Sequence, residues 1–211
     1  MIGTPDCEML CPLTGSADVE ILQGIPAAYL IDRYRRDLGI DVGAAFAGVE
    51  SIAFCESPAT GLKFFSPPVT GADDMYVALR GQGWYAPADK FEFGIGAAQV
   101  RPGERVLDVG CGAGHFARHV PDADYTGHDS DAGGKGAATL SGDLADLARD
   151  QGETFDVVTA FQVLEHAVDP VAFVRDFLAL LKPGGTLVIG VPDSDSYLGT
   201  LRNFVLNAPP H

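Results

Sequence analysis

The chain has few basic residues, few cysteines and no long apolar run. Its 14 Lys plus Arg stand against 29 Asp plus Glu, which gives a formal net charge of −15. This balance excludes non-specific binding to nucleic acid or to an anionic membrane, because both require a cationic surface. No apolar run reaches about 18 residues, the length of a transmembrane helix. Residues 1–15 lack the basic start and the apolar core of a signal peptide.

Cysteine occurs only four times in 211 residues. The four are scattered along the chain: Cys7, Cys11, Cys55 and Cys111. Few, scattered cysteines are typical of a reducing compartment, so we predict a cytoplasmic protein. A hydrophobic content of 46% indicates a globular chain. A chain of this length buries enough surface to fold without a disulfide or a metal ion.

The character of the chain changes towards its middle. Residues 1–83 are irregular and predict a small N-terminal module, whereas residues 84–211 predict a second domain. Within the module, residues 26–38 read as a helix that ends at Gly39. Residues 51–54 and 62–65 read as two short strands, and residues 71–79 as a second helix. Residues 84–99 predict a helical segment that leads into the second domain.

Strands and helices alternate from Arg105 onwards. The predicted strands are 105–110, 123–129, a short one within 138–144, 155–161 and 186–192. Residues 115–120 read as a helix, and a longer helix begins after Asp169, its N-cap, and ends at Pro183. This alternation predicts an α/β fold with a Rossmann-like, doubly wound parallel sheet that carries helices on both faces.

The most specific local feature is the loop Asp-Val-Gly-Cys-Gly-Ala-Gly at residues 108–114. Three alternating glycines between a strand and a helix predict a ligand that lies against bare main chain, rather than a tight turn without one. The third glycine comes one residue too early for a dinucleotide fingerprint. Asp129 ends the next strand, where a carboxylate can bind ribose hydroxyls. The acidic Asp108 suits a ligand with an ammonium group better than a pyrophosphate.

Three segments resemble motifs of class I S-adenosylmethionine-dependent methyltransferases: VLDVGCGAG, FDVVTAFQVLEHAVDP and LKPGGTLVIGVP. The resemblance implies the Rossmann-like fold of these methyltransferases. It also implies S-adenosylmethionine as the cofactor. It implies that the glycine loop holds the methionyl part of the cofactor, that Asp129 binds the ribose and that Asp143 binds the adenine. Alternatively, Asp143 only forms a turn. The implied cofactor-binding residues are Asp108, Gly110, Cys111, Gly112, Asp129, Asp143, Leu144, Phe161 and Gln162.

The candidate catalytic residues are Glu165 and His166, which follow the fourth predicted strand of the second domain. A general base there would help a hydroxyl acceptor, although both residues could instead only shape the loop. Some relatives hold a divalent metal with E-x-x-E-H, but Gln162 occupies the first position here. We therefore predict methyl transfer to a small molecule with an oxygen acceptor and no metal. The alternatives are a non-catalytic cofactor-binding module and a nucleotide-dependent oxidoreductase.

Two regions depart from the methyltransferase pattern. Residues 130–142 are too rich in glycine for the second helix of the fold. Relatives continue past a segment like the end of this chain with a final pair of strands, so we expect a sheet that is incomplete at its C-terminal end. The apolar strand 186–191 would then keep an uncovered edge. We expect self-association through it, or residues 197–211 folded back over it.

The N-terminal module resembles a zinc ribbon that has lost ligands. Residues 11–16 resemble the first knuckle, with Thr14 in place of its second cysteine, and residues 54–67 resemble the second, with Thr60 in that place. Cys11 and Cys55 then remain, with Cys7 as a third candidate. A stable zinc site needs four ligands, so the sequence predicts no stoichiometric zinc.

Overall fold

A computed structural model describes residues 9–71, 73–80, 88–130 and 139–192. The chain divides into two compact units, whose described residues lie within 9–80 and 88–192. In these described ranges no helix is long and apolar enough to cross a membrane.

The first unit is a three-stranded antiparallel sheet in the order β1-β2-β3 with two helices. Its elements are β1 (Glu20–Pro26), α1 (Ala27–Leu38), β2 (Ser51–Glu56), β3 (Lys63–Ser66) and α2 (Asp73–Arg80). Helix α1 buries Leu30 and Tyr34 and ends at Gly39, whose φ of 71° is left-handed. The predicted helices and strands of this unit are confirmed. Strand β1 escaped prediction because Gln23 and Gly24 interrupt its apolar pattern.

The second unit is a five-stranded parallel sheet in the order β6-β5-β4-β7-β8. Its elements are α3 (Phe91–Ala97), β4 (Arg105–Val109), a 3₁₀ turn (His115–His119), β5 (Asp124–Asp129), β6 (Thr139–Ser141), α4 (Leu144–Asp150), β7 (Phe155–Phe161), a second 3₁₀ turn (Leu164–His166), α5 (Pro170–Leu180) and β8 (Leu181–Gly190). This architecture confirms the predicted α/β fold class.

Each face of the parallel sheet has its own hydrophobic core. Neighbouring residues of β4 point to opposite faces, so Leu107 lies in the cluster with Phe177 of α5 and Leu144 of α4. Val106 lies in the other cluster, with Phe93 of α3 and Phe116 of the first 3₁₀ turn. Helical elements therefore cover both faces, as the doubly wound arrangement requires.

Two local predictions were wrong. Helix α5 ends at Leu180 instead of Pro183, because Leu181 already has extended dihedrals (φ −77°, ψ 138°) and starts β8. Pro183 also disfavours the α conformation in the residue before it, so Lys182 stays extended. Lys182 forms an ion pair with Asp156 at 2.7 Å instead of closing a helix. Residues 115–120 form a 3₁₀ turn over His115–His119, not an α-helix.

Candidate functional site

The predicted site residues follow the carboxyl ends of three neighbouring strands. Val109, the last residue of β4, pairs with His128 of β5 on one side and with Ala160 of β7 on the other. The glycine loop, Asp129 and Phe161 therefore come to the same edge of the sheet. Ligands of open parallel sheets bind at this edge, where the strand order reverses.

The glycine loop needs its first two glycines for different reasons. Gly110 has a φ of +68°, and a Cβ there would lie 2.4 Å from Val163 Cγ2, so only glycine lets the loop meet the segment after β7. Gly112 has a φ of +53°, and no atom of the described residues lies within 4 Å of its would-be Cβ. The loop therefore keeps an open main-chain surface at Gly112.

The carbonyl of His128 holds this loop in place. It accepts hydrogen bonds from the Gly110 and Cys111 amides at 2.7 and 3.1 Å. The His128 side chain is buried, and its Nε2 lies 3.1 Å from the Gly142 carbonyl, next to Asp143. Sequence reasoning missed both His128 and Val163. The only signal was a histidine directly before the aspartate that ends its strand.

Asp129 lies beside the open glycine. Its Oδ2 accepts a hydrogen bond from the Gly112 amide at 3.0 Å, and the side chain is half-buried. A carboxylate beside the open space at Gly112 suits a ligand that carries hydroxyl donors. The structure thus brings Asp129 and the loop together, as the predicted ribose site requires.

Asp108 is more deeply placed than a ligand-binding residue needs to be. Its Oδ2 accepts from the Tyr125 hydroxyl and its Oδ1 from the Thr159 hydroxyl, each at 2.9 Å. Burial raises the pKa of the Asp108 carboxyl to about 6, although both hydroxyls act against this rise. With both oxygens engaged, Asp108 fixes strands β4, β5 and β7 against each other. A direct contact with a ligand ammonium stays a prediction.

Cys111 packs its thiol against the neighbouring strand. A Cβ added to Gly127 would lie 2.6 Å from Cys111 Sγ, so the side chain packs on strand β5. Burial and the nearby Asp108 raise the pKa of this thiol to about 12, which keeps it protonated.

Asp143 caps helix α4. Its Oδ1 accepts from the Ala145 amide at 2.7 Å and from the Asp146 amide at 3.4 Å. The side chain is exposed, so its second oxygen faces solvent near the end of β6. The turn-forming role is thus present, and an adenine contact stays a prediction. Leu144 is 6% exposed and belongs to the core, so only its edge could touch a ring.

Phe161 and Gln162 end strand β7 in different ways. Phe161 is 5% exposed and packs on Phe93 and Phe116, with ring centroids 5.1 and 5.0 Å apart. Gln162 has a φ of +61°, and its main-chain amide donates to the Gly190 carbonyl at 2.8 Å. A left-handed glutamine is strained, and such strain concentrates at functional sites.

Glu165 is the most unusual acid at this edge. Burial raises the pKa of its carboxyl to about 7, with Glu92 raising it further and Lys90 lowering it. Its Oε2 is buried and has no hydrogen-bond partner among the residues that the structure describes. His166 follows in the same 3₁₀ turn. Through Val163, two residues earlier, this segment packs directly on Gly110. A site shared by Glu165 and the glycine loop stays a prediction.

These groups fit the cofactor that the sequence motifs imply. An open main-chain surface at Gly112 and an adjacent carboxylate at Asp129 can hold hydroxyls. The unpartnered Oε2 of Glu165 offers a place for a positive charge or a transferable proton. No group of three or more His, Cys, Asp or Glu side chains in the described ranges could hold a metal ion.

Comparison with known proteins agrees with this fit. Residues 79–208 match the family model described as a methyltransferase domain, and the chain belongs to this family. The cofactor of this family, and of this chain as a member of it, is S-adenosylmethionine.

Ubiquinone biosynthesis O-methyltransferases are among the curated relatives. The one from Parvibaculum lavamentivorans is 32% identical over 50% of this chain and 56% of its own length. That from Xanthomonas campestris is 37% identical over 45% of this chain and 46% of its own. The chain thus spans about half the length of these relatives. A solved methyltransferase from Archaeoglobus fulgidus aligns at a TM-score of 0.45 and 22% identity, over 54% of this chain and 55% of that one.

Proposed function

We propose that this chain is an S-adenosylmethionine-dependent methyltransferase that transfers a methyl group to the oxygen of a small molecule. Family membership supports the methyl transfer. The curated relatives are named O-methyltransferases, which supports oxygen as the acceptor atom. The observation that carries the acceptor class is Glu165, whose buried Oε2 has no partner in the described residues and whose segment packs on the glycine loop through Val163. A hydroxyl acceptor needs such a base, because its proton must leave as the methyl group arrives.

The residues divide the work as follows. When bound, the cofactor supplies a methyl group on a positively charged sulfur, so the protein chiefly has to align the two reactants. The Gly112 main chain and Asp129 hold the sugar hydroxyls, and Asp143 reaches the adenine with the oxygen that faces solvent. Phe161 excludes water beneath the site. Glu165 takes the proton of the acceptor hydroxyl at Oε2, and His166 is the second candidate for that step.

Binding of S-adenosylhomocysteine by the full chain tests the first half of this proposal. We expect a micromolar affinity, equivalent to about 7 to 8 kcal/mol. Asp129→Ala should weaken it at least tenfold, because the sugar loses a charged acceptor. The matched control is Asp124→Ala at the opposite end of the same strand, where the side chain is 68% exposed. Equal losses in both variants, or none in either, would remove Asp129 from the site.

Turnover tests the second half. Phenols and catechols with labelled S-adenosylmethionine should yield labelled ethers. Binding of S-adenosylhomocysteine without transfer to any of them would favour the non-catalytic module. Tight binding of NAD instead of S-adenosylhomocysteine would favour the oxidoreductase.

For the rest of the chain, we propose that residues 1–83 form a separate module that resembles a zinc ribbon without its metal, and that residues 84–211 form the methyltransferase domain. The three-stranded antiparallel sheet β1-β2-β3 supports the first part.

A further inference from the structure

Two short turns of the N-terminal unit have nearly the same sequence. The first is Cys-Pro-Leu-Thr-Gly at residues 11–15, and the second is Ser-Pro-Ala-Thr-Gly at residues 57–61. In both, the first residue is buried, with Cys11 1% and Ser57 0% exposed. In both, the threonine is exposed and the glycine is left-handed, with φ of +67° at Gly15 and +70° at Gly61.

Three hydrogen bonds close the first turn. The Gly15 amide donates to the Cys11 carbonyl at 2.8 Å, and the Cys11 amide donates to the Ser16 carbonyl at 2.9 Å. The Ser16 amide in turn donates to Thr14 Oγ1 at 3.3 Å.

The second turn repeats all three. The Gly61 amide donates to the Ser57 carbonyl at 2.8 Å, and the Ser57 amide donates to the Leu62 carbonyl at 2.9 Å. The Leu62 amide donates to Thr60 Oγ1 at 3.2 Å. The two turns are therefore one structural unit used twice, and the ligand positions of a knuckle pair are residues 11, 14, 57 and 60.

This assignment corrects the role given to Cys55 from the sequence. Cys55 lies on strand β2, two residues before the second turn, and its thiol donates to the Ala53 carbonyl at 3.6 Å. Burial raises the pKa of this thiol. The residue that corresponds to Cys11 is Ser57, so three of the four ligand positions carry hydroxyls.

The two turns begin side by side. Met9 lies two residues before Cys11 and Cys55 lies two residues before Ser57, and the sulfurs of Met9 and Cys55 are 3.9 Å apart. Ser57 Oγ is buried and has no hydrogen-bond partner in the described residues.

We propose that the two turns are a pair of metal knuckles that has lost its metal ion, and that positions 11, 14, 57 and 60 are its four ligand positions. One thiol and three hydroxyls do not fit zinc, which needs four strong ligands such as thiolates. Three cysteines would complete the site. This inference rests on the proposed N-terminal module and not on methyl transfer.

The test restores the thiolates in the full chain: Thr14→Cys, Ser57→Cys and Thr60→Cys together, with cobalt(II) as the spectroscopic probe. We expect one cobalt per chain, the visible absorption of a tetrahedral thiolate site, and displacement by one zinc. Adding Cys11→Ser should weaken binding at least tenfold, because a ligand is lost. Adding Cys55→Ala should leave binding unchanged. A folded triple variant without cobalt binding, or binding that depends on Cys55 and not on Cys11, overturns the proposal.

A second measurement needs no new cysteine, so it holds even if the triple variant fails to fold. Thr14 accepts a hydrogen bond from the Ser16 amide, and Thr60 accepts the equivalent bond from the Leu62 amide. If the two turns are one unit used twice, Thr14→Val and Thr60→Val should lower the unfolding midpoint of this unit by similar amounts. A shift in one variant and none in the other overturns the equivalence of the two turns. S-adenosylhomocysteine affinity, measured on the same variants, reports separately on the proposed methyltransferase.

Discussion

Glu165 is the residue whose environment most departs from that of an ordinary surface acid. Its carboxyl has a pKa of about 7 instead of 4.5, chiefly because burial disfavours the charged form. A base with this pKa is half ionised near neutrality, where proton transfer is efficient. The same burial makes the charged form costly for the fold, so activity and stability depend on this carboxyl in opposite directions.

We expect Glu165→Gln to show both effects. Since the folded state binds the proton more tightly than the unfolded state, ionisation of Glu165 lowers the free energy of unfolding as the pH rises from about 4.5 to about 7. Glutamine cannot ionise, so the variant should gain about 1 to 2 kcal/mol over the parent at pH 8 relative to pH 4, after solvent screening. Denaturant unfolding at both pH values measures this gain.

The methyl-transfer rate of the parent should rise through a pKa near 7, and this rise should vanish in Glu165→Gln. Glu153→Gln is the control, because Glu153 is exposed in a turn of the same unit. A parent rate that is flat with pH, or a variant that keeps the same profile, would show that His166 or another group is the base.

Asp108 shows what the sequence could and could not predict at this scale. The strand-loop pattern located it at the carboxyl end of a strand, which is correct. Its partners, Tyr125 and Thr159, lie on two other strands, 17 and 51 residues away. One sequence does not show which side chains face each other across a parallel sheet, so the burial of the carboxylate could not be predicted.

At the scale of elements, the close approach between the glycine loop and the segment after β7 decides the shape of the site. Gly110→Ala should cost about 2 to 3 kcal/mol of unfolding free energy, because a Cβ would lie 2.4 Å from Val163 and its φ is +68°. Gly112→Ala should cost only about 1 kcal/mol, since its would-be Cβ meets no described atom. Adding Val163→Ala to Gly110→Ala should restore part of the loss. Thermal unfolding of the three variants measures this, and equal costs at both glycines would contradict the contact.

The N-caps of α4 and α5 separate a folding role from a binding role. Asp169 caps α5 through the Ala172 amide at 2.9 Å, as Asp143 caps α4. Serine keeps a cap, so neither Asp143→Ser nor Asp169→Ser should lose more than a few tenths of a kcal/mol in stability. Only Asp143→Ser should weaken S-adenosylhomocysteine, about tenfold, because a charged acceptor for the adenine amino group is lost. Calorimetric titration decides, and unchanged affinity would leave Asp143 with the cap alone.

Elements with strong punctuation were predictable. The structure confirms, to within one residue, the predicted strands 105–110 and 155–161 and the predicted N-cap at Asp169. The end of α5 was wrong because Leu181 and Lys182 suit a helix as well as a strand, and only pairing with β7 decides between them. The knuckle turns were found, but Ser57 was missed because the search for ligands followed cysteine.

For the whole molecule, charge and sheet topology act against each other. Each chain carries a net charge of −15, so copies repel one another at low ionic strength. Within residues 139–192, strand β8 pairs only with β7, and its apolar run Leu187, Val188 and Ile189 lies at the outer edge of the sheet. An unpaired apolar edge favours addition of another strand.

The two effects predict a self-association that strengthens with salt. Raising the ionic strength from about 0.01 to 0.15 M shortens the screening length from about 30 to 8 Å, which removes most of the repulsion and leaves the edge free to pair. Sedimentation velocity should show a monomer at low salt and a concentration-dependent dimer at higher salt. Hydrogen exchange at the β8 amides should slow as the dimer forms, while the amides of β6 at the other edge should not change. A chain that stays monomeric at every salt and concentration would mean that the edge is already covered, and residues 197–211, which lie outside the described residues, are the segment whose deletion would then expose it.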